Sequence, residues 1–377
     1  MKIALLGPTY PYRGGISHYT TLLYRALKKE HRINFFSFLR QYPKWLFPGK
    51  TDIDKSKTKI KEEGVERTLN SLNPFTWVKT AFLIKGFNPD LLILPWWSPF
   101  WMPHFLTICG ILKLLSKTKI VFICHNVTMH EARFFDKACM RAVLGLGNYF
   151  IVHSQKEKQD LVALLPAADV RITFHPTYEI FKWKNLKKEE AKKELGVSGK
   201  TLLFFGFIRE YKGLRYLLEA LARVLEELKD ITLLIAGEFW QDKAVYLDLI
   251  DRLGIRDKVK IFDQYIPNEE VEKYFRAADV VVLPYLSVTG SGVVQVALGL
   301  ERPVITTNIG SLKRIVLHGK TGYLVEPANA DALANSILKF FRENKEEEFT
   351  ENIRKRRELF SWERLVKIIE SFHIYVL

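Results

Sequence analysis

Short apolar runs alternate along the chain with longer stretches in which apolar residues recur every three or four positions. In the first half the apolar runs fall at residues 2–7, 33–38, 91–94, 119–124, 149–153 and 170–174. Helix-patterned segments such as 16–29 and 133–146 lie between them. The second half repeats the scheme, with runs at 201–207, 231–236, 259–262, 280–284 and 304–306 and helices such as 214–228 and 244–253. Apolar runs without strict alternation suit parallel strands covered on both faces. Two successive β/α series therefore predict an α/β chain built from two doubly wound, Rossmann-like domains facing across a cleft.

The boundary is expected within residues 181–200, "FKWKNLKKEEAKKELGVSGK", which is rich in charge and ends in Gly-Val-Ser-Gly. This gives a first domain at 1–180 and a second at 181–360. A lysine-rich insertion at 41–66 reads as a loop at the cleft mouth or as a disordered segment. Residues 91–115 are apolar for the length of a bilayer span. Pro95, Pro99 and Pro103 interrupt them, so a buried strand, a tryptophan-rich loop and a helix are expected instead. Trp96, Trp97 and Trp101 in that loop suit an acceptor or membrane-facing role, since tryptophan favours membrane interfaces; an aromatic plug in the core is the structural alternative.

Composition sharpens the picture at two points. The 377 residues are 48% hydrophobic and 26% charged, which excludes a disordered or fibrous chain, and they carry a net charge of +15. Such a field attracts something negative: nucleic acid, an anionic membrane or a phosphorylated substrate. Cys109, Cys124 and Cys139 form no CxxC pair, and with no signal peptide before residue 2 they point to a reducing, cytoplasmic location.

In open α/β sheets ligands bind beyond the carboxyl ends of the strands, so the residues just past each run are the candidates. After the first run, Gly14 and Gly15 precede a helix; they allow close backbone approach and leave free amides. His125 follows the run at 119–124. His130 and Glu131 come next, but their spacing is not that of a zinc site, and no metal is expected. Arg209 and Lys212 follow the first run of the second half and suit a diphosphate, Arg through its planar fork and Lys as a point charge. Glu238 follows the run at 231–236, where a ribose or base would lie. In "PYLSVTGSGVVQVALGL", the turn at Thr289, Ser291, Gly292 and Val293 offers amides at the start of a helix over 293–300.

These segments together resemble the retaining glycosyltransferases with the GT-B fold, the sucrose-synthase-like family numbered four. The resemblance rests on "RGG" at 13–15, "HN" at 125–126, "FGFIREYKG" at 205–213, "AGE" at 236–238, "ERPVITTNIG" at 301–310, "GKTGYLVEP" at 319–327 and "FSW" at 360–362. It implies that Gly15 lies near the donor phosphates, His125 near the transferred sugar, and Arg209 and Lys212 on the diphosphate. It also implies that a helix from 361 to 377 returns to the first domain. The family's usual pair of glutamates falls here on Val288 and Val296, so Gln295 is the nearest polar side chain for the ribose, with Thr289 or Ser291 toward the sugar.

The expected activity is therefore transfer of a hexose-type sugar, with retention, from a nucleoside-diphosphate sugar to an acceptor hydroxyl. No cofactor or metal is expected. The acceptor is expected to be a lipid-linked or cell-surface glycan bound by the first domain, with peripheral contact to an anionic membrane. A sugar-nucleotide epimerase and a basic nucleic-acid-binding protein are the alternatives; no nucleic-acid motif is present, and nucleic acid is not an expected partner.

Overall fold

The structure is a computed structural model of the chain that describes residues 1–43, 45, 46, 49, 51–127 and 134–374. Of the positions named above, His130, Glu131 and the first residue of the helix expected at 133–146 lie outside the described residues. The described residues divide into two compact units, 1–55 with 59–174 and 361–377, and 56–58 with 175–360.

The first unit begins with β1 (Lys2–Leu6), α1 (Gly15–Lys28), β2 (Arg32–Arg40), β3 (Glu66–Asn70), α2 (Pro74–Phe87), β4 (Leu91–Trp96) and α3 (Met102–Leu115). It continues with β5 (Lys119–Cys124), α4 (Phe134–Leu144), β6 (Tyr149–Val152), α5 (Gln155–Leu164) and β7 (Asp169–Ile172). The seven strands form one parallel sheet in the order β3-β2-β1-β4-β5-β6-β7. Alternate residues of β1 serve opposite faces, as the two-residue period of a strand requires. Ile3 and Leu5 share a core with Leu23 and Leu27 of α1. Ala4 and Leu6 share another with Ala81 and Ile84 of α2 and Phe105 and Ile108 of α3.

The second unit holds α6 (Lys188–Leu195), β8 (Lys200–Phe205), α7 (Leu214–Glu227), β9 (Ile231–Ala236), α8 (Ala244–Arg252), β10 (Val259–Phe262), α9 (Asn268–Ala277) and β11 (Val280–Leu283). Then follow α10 (Gly292–Gly299), β12 (Val304–Thr307), α11 (Leu312–Ile315), β13 (Gly322–Val325), α12 (Ala330–Arg342) and α13 (Glu346–Lys355). Its six strands are also parallel, in the order β10-β9-β8-β11-β12-β13. The last helix, α14 (Trp362–Ile374), is part of the first unit. It lies along α1, with Leu365 and Ile369 in the core beneath that helix. Glu363 pairs with Lys29 at 3.0 Å, and Glu370 meets His31 at 3.1 Å.

Three features depart from the sequence-based expectations. The division falls at Phe174/His175, and the charged stretch expected to join the domains is inside the second unit, mostly as α6. Two strands escaped the apolar pattern. β3 reads "ERTLN" and sits at a sheet edge, where one buried residue, Leu69, is enough. β13 is likewise an edge strand of four residues. The insertion at 41–66 alternates along its described part: Asp54, Ser56 and Ile60 are buried, while Lys55, Lys57, Lys59 and Lys61 are exposed. Within the second unit, the amides of Lys57 and Thr58 donate to the Glu269 carboxylate at 2.9 and 3.1 Å.

The tryptophan loop also needs correction. Trp96 and Trp101 are 1% and 0% exposed and belong to the core, so neither ring can face an acceptor or a bilayer. Trp96 ends a strand in mid-sheet, and Trp101 packs between Phe38 and His104 with ring centroids 4.6 and 4.8 Å away. Trp97 is half-buried and donates its indole N–H to the Tyr42 hydroxyl at 2.9 Å.

Candidate functional site

In each sheet the strand order reverses once, between β1 and β4 in the first and between β8 and β11 in the second. Loops beyond such strands part to opposite sides and leave a crevice at the carboxyl ends. In the second unit, the loop after β8 carries Arg209 and Lys212, and the loop after β11 carries Thr289 to Val293.

Local chemistry draws these two loops together. Glu210–Lys212 form a single 3₁₀ turn that ends at Gly213, with φ at 70°. A Cβ there would run into the Pro284 carbonyl at the end of β11, so only glycine permits the approach. The Leu286 amide then donates to the Tyr211 carbonyl at 2.7 Å. Gly206, at φ 97°, closes the arrangement: a Cβ placed on it would lie 3.0 Å from the Lys212 Nζ and 3.2 Å from the Val293 Cγ2. The Lys212 ammonium therefore sits over the end of β8, beside the first turn of α10.

The cap of α10 fixes which groups remain available. Ser291 is the N-cap; its hydroxyl accepts from the Val294 amide at 3.3 Å and shares a 2.8 Å hydrogen bond with the Tyr285 hydroxyl. The cap and Tyr285 take up two of the three hydrogen-bonding positions of that hydroxyl and leave one for a ligand. The Gly292 and Val293 amides, by contrast, have no partner among the described residues, and no acid stands in the first turn of α10. Unpaired amides and the helix dipole together favour an anion there.

The electrostatics favour one as well. Lys212 is buried and forms no ion pair among the described residues. Burial first, and then the neighbouring Arg209 charge, bring its pKa from an ordinary 10.5 down to about 7. Arg209 is half-buried and held by an aromatic face rather than a carboxylate, its guanidinium carbon 4.4 Å from the centroid of the Trp240 ring. Phe207 also stacks on Trp240, with ring centroids 4.1 Å apart. Sequence reading missed Trp240 and Phe207; aromatic residues in the loops after β9 and β8 were the available signal. Glu238 is buried at 3% exposure, and its carbonyl accepts from the Ile208 amide at 3.0 Å. Gln295 has no exposed surface, and neither atom of its side-chain amide has a hydrogen-bond partner among the described residues. Thr289 is half-buried in the turn itself.

The first unit gathers its own set. Gly14 takes φ 114° as the N-cap of α1, whose start has no side-chain cap and no acid; a Cβ on Gly14 or Gly15 would meet open space. His125 follows β5, and its amide donates to the Trp96 carbonyl at 2.8 Å. Its ring meets Tyr19 edge to face at 4.5 Å and lies 5.6 Å from His153. The His153 Nδ1 faces the Thr173 carbonyl at 3.2 Å, so Nδ1 carries the hydrogen and Nε2 accepts from the Tyr19 hydroxyl at 3.4 Å. Trp362 of α14 completes the cluster, 5.1 Å from Tyr19. Among the described residues no group of three His, Cys, Asp or Glu side chains could hold a metal ion.

Residues 186–356 match the family described as glycosyl transferases group 1. An uncharacterised glycosyltransferase of Methanocaldococcus jannaschii is 28% identical over 295 residues, covering 73% of each chain. Sucrose-phosphate synthase from Thermosynechococcus elongatus superposes with a TM-score of 0.72 over 100% of this chain and 98% of its own, at 19% identity. Anabaena HepE in complex with UDP-glucose gives 0.71 over 98% and 99%, at 17% identity. Those two likenesses establish the shared fold of two Rossmann-like units. The match to the group 1 glycosyl transferases falls on the unit that carries Arg209, Lys212 and α10.

Proposed function

We propose that the second unit binds the diphosphate of a nucleoside-diphosphate sugar, and that the protein transfers the hexose, with retention, to an acceptor hydroxyl. The observation that carries this reading is the buried Lys212 ammonium, unpaired among the described residues, beside both Arg209 and the open amides of α10. Two cations without a counter-ion are costly to hold together. A diphosphate would discharge that cost and accept the Gly292 and Val293 amides as well. The same groups stabilise the charge that gathers on the departing nucleotide, which is the main demand of the chemistry. Arg209, Lys212 and these amides neutralise the diphosphate without requiring a metal. Gly14 and Gly15 approach the donor phosphates, and Glu238 and Gln295 serve its nucleoside. His125 meets the transferred sugar. The leaving phosphate helps deprotonate the acceptor, so no separate carboxylate base is needed. HepE, whose complex holds UDP-glucose, supports a sugar nucleotide as donor. The acceptor is a lipid-linked or cell-surface glycan bound by the first unit, at the cytoplasmic face of a membrane.

A thermal-shift panel of UDP-, GDP-, ADP- and dTDP-sugars identifies the donor. Arg209→Ala and Lys212→Ala then each lower kcat/KM by on the order of 10²–10³ or more, with little change in melting temperature. Wild-type turnover in either variant would remove the diphosphate assignment. His125→Ala lowers kcat while leaving donor affinity near that of the wild type.

A further inference from the structure

The surface of the first unit carries an apolar face that the donor site does not use. Of the fifteen large hydrophobic side chains exposed among the described residues, seven lie on α2 and α3. These two helices pack side by side on one face of the sheet. Thr80, Ala81 and Ile84 form the buried stripe of α2. On the opposite side, Phe75, Val78 and Phe82 recur at helical spacing, with Phe75 84% exposed. α3 repeats the pattern with Leu106 and, two turns later, Leu114, also 84% exposed. A helix that only covers a sheet turns polar residues outward, so two adjacent helices with apolar outer stripes call for a partner.

Charge identifies the partner. Lys79 lies within the α2 stripe, Lys113 beside Leu114, and Lys117 just beyond the end of α3; all three are exposed. Residues 74–87 and 102–118 contain no Asp or Glu. The one acid between the helices, Asp90, has its carboxylate on the Lys2 amide at 2.8 Å. A second copy of this chain would bring lysine against lysine. Exposed Phe and Leu flanked by lysine, with no acid, is the composition of helices that lie in an anionic membrane interface.

We propose that the outer face of α2 and α3 docks on an anionic lipid bilayer, with Phe75, Phe82 and Leu114 entering the headgroup boundary and Lys79 and Lys117 meeting lipid phosphates. No helix of the described residues is long and apolar enough to cross a membrane, so the contact is interfacial. This relocates the membrane contact from the buried tryptophans to a surface that is available. It is independent of the donor assignment, since none of these side chains belongs to the nucleotide site.

The test is flotation of the full chain with vesicles of pure phosphatidylcholine and of equal parts phosphatidylcholine and phosphatidylglycerol. Binding is expected on the mixed vesicles alone and weakens as salt rises. The triple variant Phe75→Ser, Phe82→Ser, Leu114→Ser should bind at least about tenfold more weakly. Lys79→Glu with Lys117→Glu should cost more than about tenfold through reversal of two charges. Both should keep the wild-type melting temperature and nucleotide thermal shift, which separates this surface from the donor site. Wild-type protein that ignores mixed vesicles, or variants that bind them as well as wild type, would overturn the proposal. So would a wild-type dimer that the triple variant disperses, or capture by immobilised poly-glutamate without vesicle binding; these would assign the face to a second copy or an acidic protein.

Discussion

The Leu286 amide donates to the Tyr211 carbonyl at 2.7 Å, tying the loop after β8 to the loop after β11. Because that bond is between main-chain atoms, it holds whatever side chains the loops display. It sets Lys212 of one loop beside α10, which the other loop begins.

The ionisation of Lys212 should appear in the pH dependence of donor binding. An unfolded lysine keeps its proton to beyond pH 10, whereas burial and the Arg209 charge bring the folded group down to about 7. The destabilisation from folding a charged Lys212 is therefore full below 7 and fades as pH rises toward 10. A bound diphosphate favours the ammonium, so binding above 7 takes up a proton. UDP affinity should fall as pH rises from about 7 to 9, and calorimetry in two buffers of different ionisation enthalpy should register that uptake. In Lys212→Arg the charge persists and the profile flattens. An equally steep fall in that variant would show that another group titrates.

Gly206→Ala should test the closeness of Lys212 to α10. The added methyl meets the Lys212 Nζ at 3.0 Å, the movable end of a flexible chain, and the Val293 Cγ2 at 3.2 Å, in a φ of 97°. The expected result is a stability loss of about 1–3 kcal/mol, read by denaturant unfolding, and a larger proportional loss of UDP affinity. At Gly237 the methyl would instead run into the Gly206 carbonyl, which is backbone and cannot yield; Gly237→Ala should fail to fold or melt far lower.

Ser291→Ala removes the cap of α10 and leaves the Tyr285 hydroxyl without its partner. Loss of a cap costs about 1 kcal/mol, and an orphaned buried hydroxyl about 1–3 more. Tyr285→Phe removes only that hydroxyl and should cost less. The double variant should be milder than the sum of the two, because both changes break the same hydrogen bond. Additive melting shifts would contradict the shared bond.

Gln295→Leu should raise stability and lower donor affinity together. The buried amide of Gln295 has no partner on either side-chain atom among the described residues, and an apolar side chain of similar size relieves about 1–3 kcal/mol of that penalty. A group kept at such a cost is expected to serve a ligand. Unfolding midpoints and UDP titration of the same preparation supply both readings. Higher stability with unchanged affinity would leave Gln295 without a role at the nucleoside.

Much of the molecule was legible in the residues. The apolar runs located eleven of the thirteen strands among the described residues, because a strand covered on both faces must be apolar throughout. β3 escaped because an edge strand can pair through its backbone with little side-chain burial, and β13 because its four residues, opening on Gly322, make too short an apolar run to stand out. Position at strand ends selected Arg209, Lys212 and the turn at 289–293, since a parallel sheet delivers its loops to one end. The sequence could not say what each side chain would do once there. Packing turned Trp96 and Trp101 into core and drew the Ser291 hydroxyl into a cap. It also brought Trp240 under Arg209, and it left α2 and α3 with an apolar outer stripe. Strand identity depends on neighbours along the chain and survives in the pattern. A side chain's partner, exposure and charge state depend on residues distant in sequence, and those only the tertiary structure brings together.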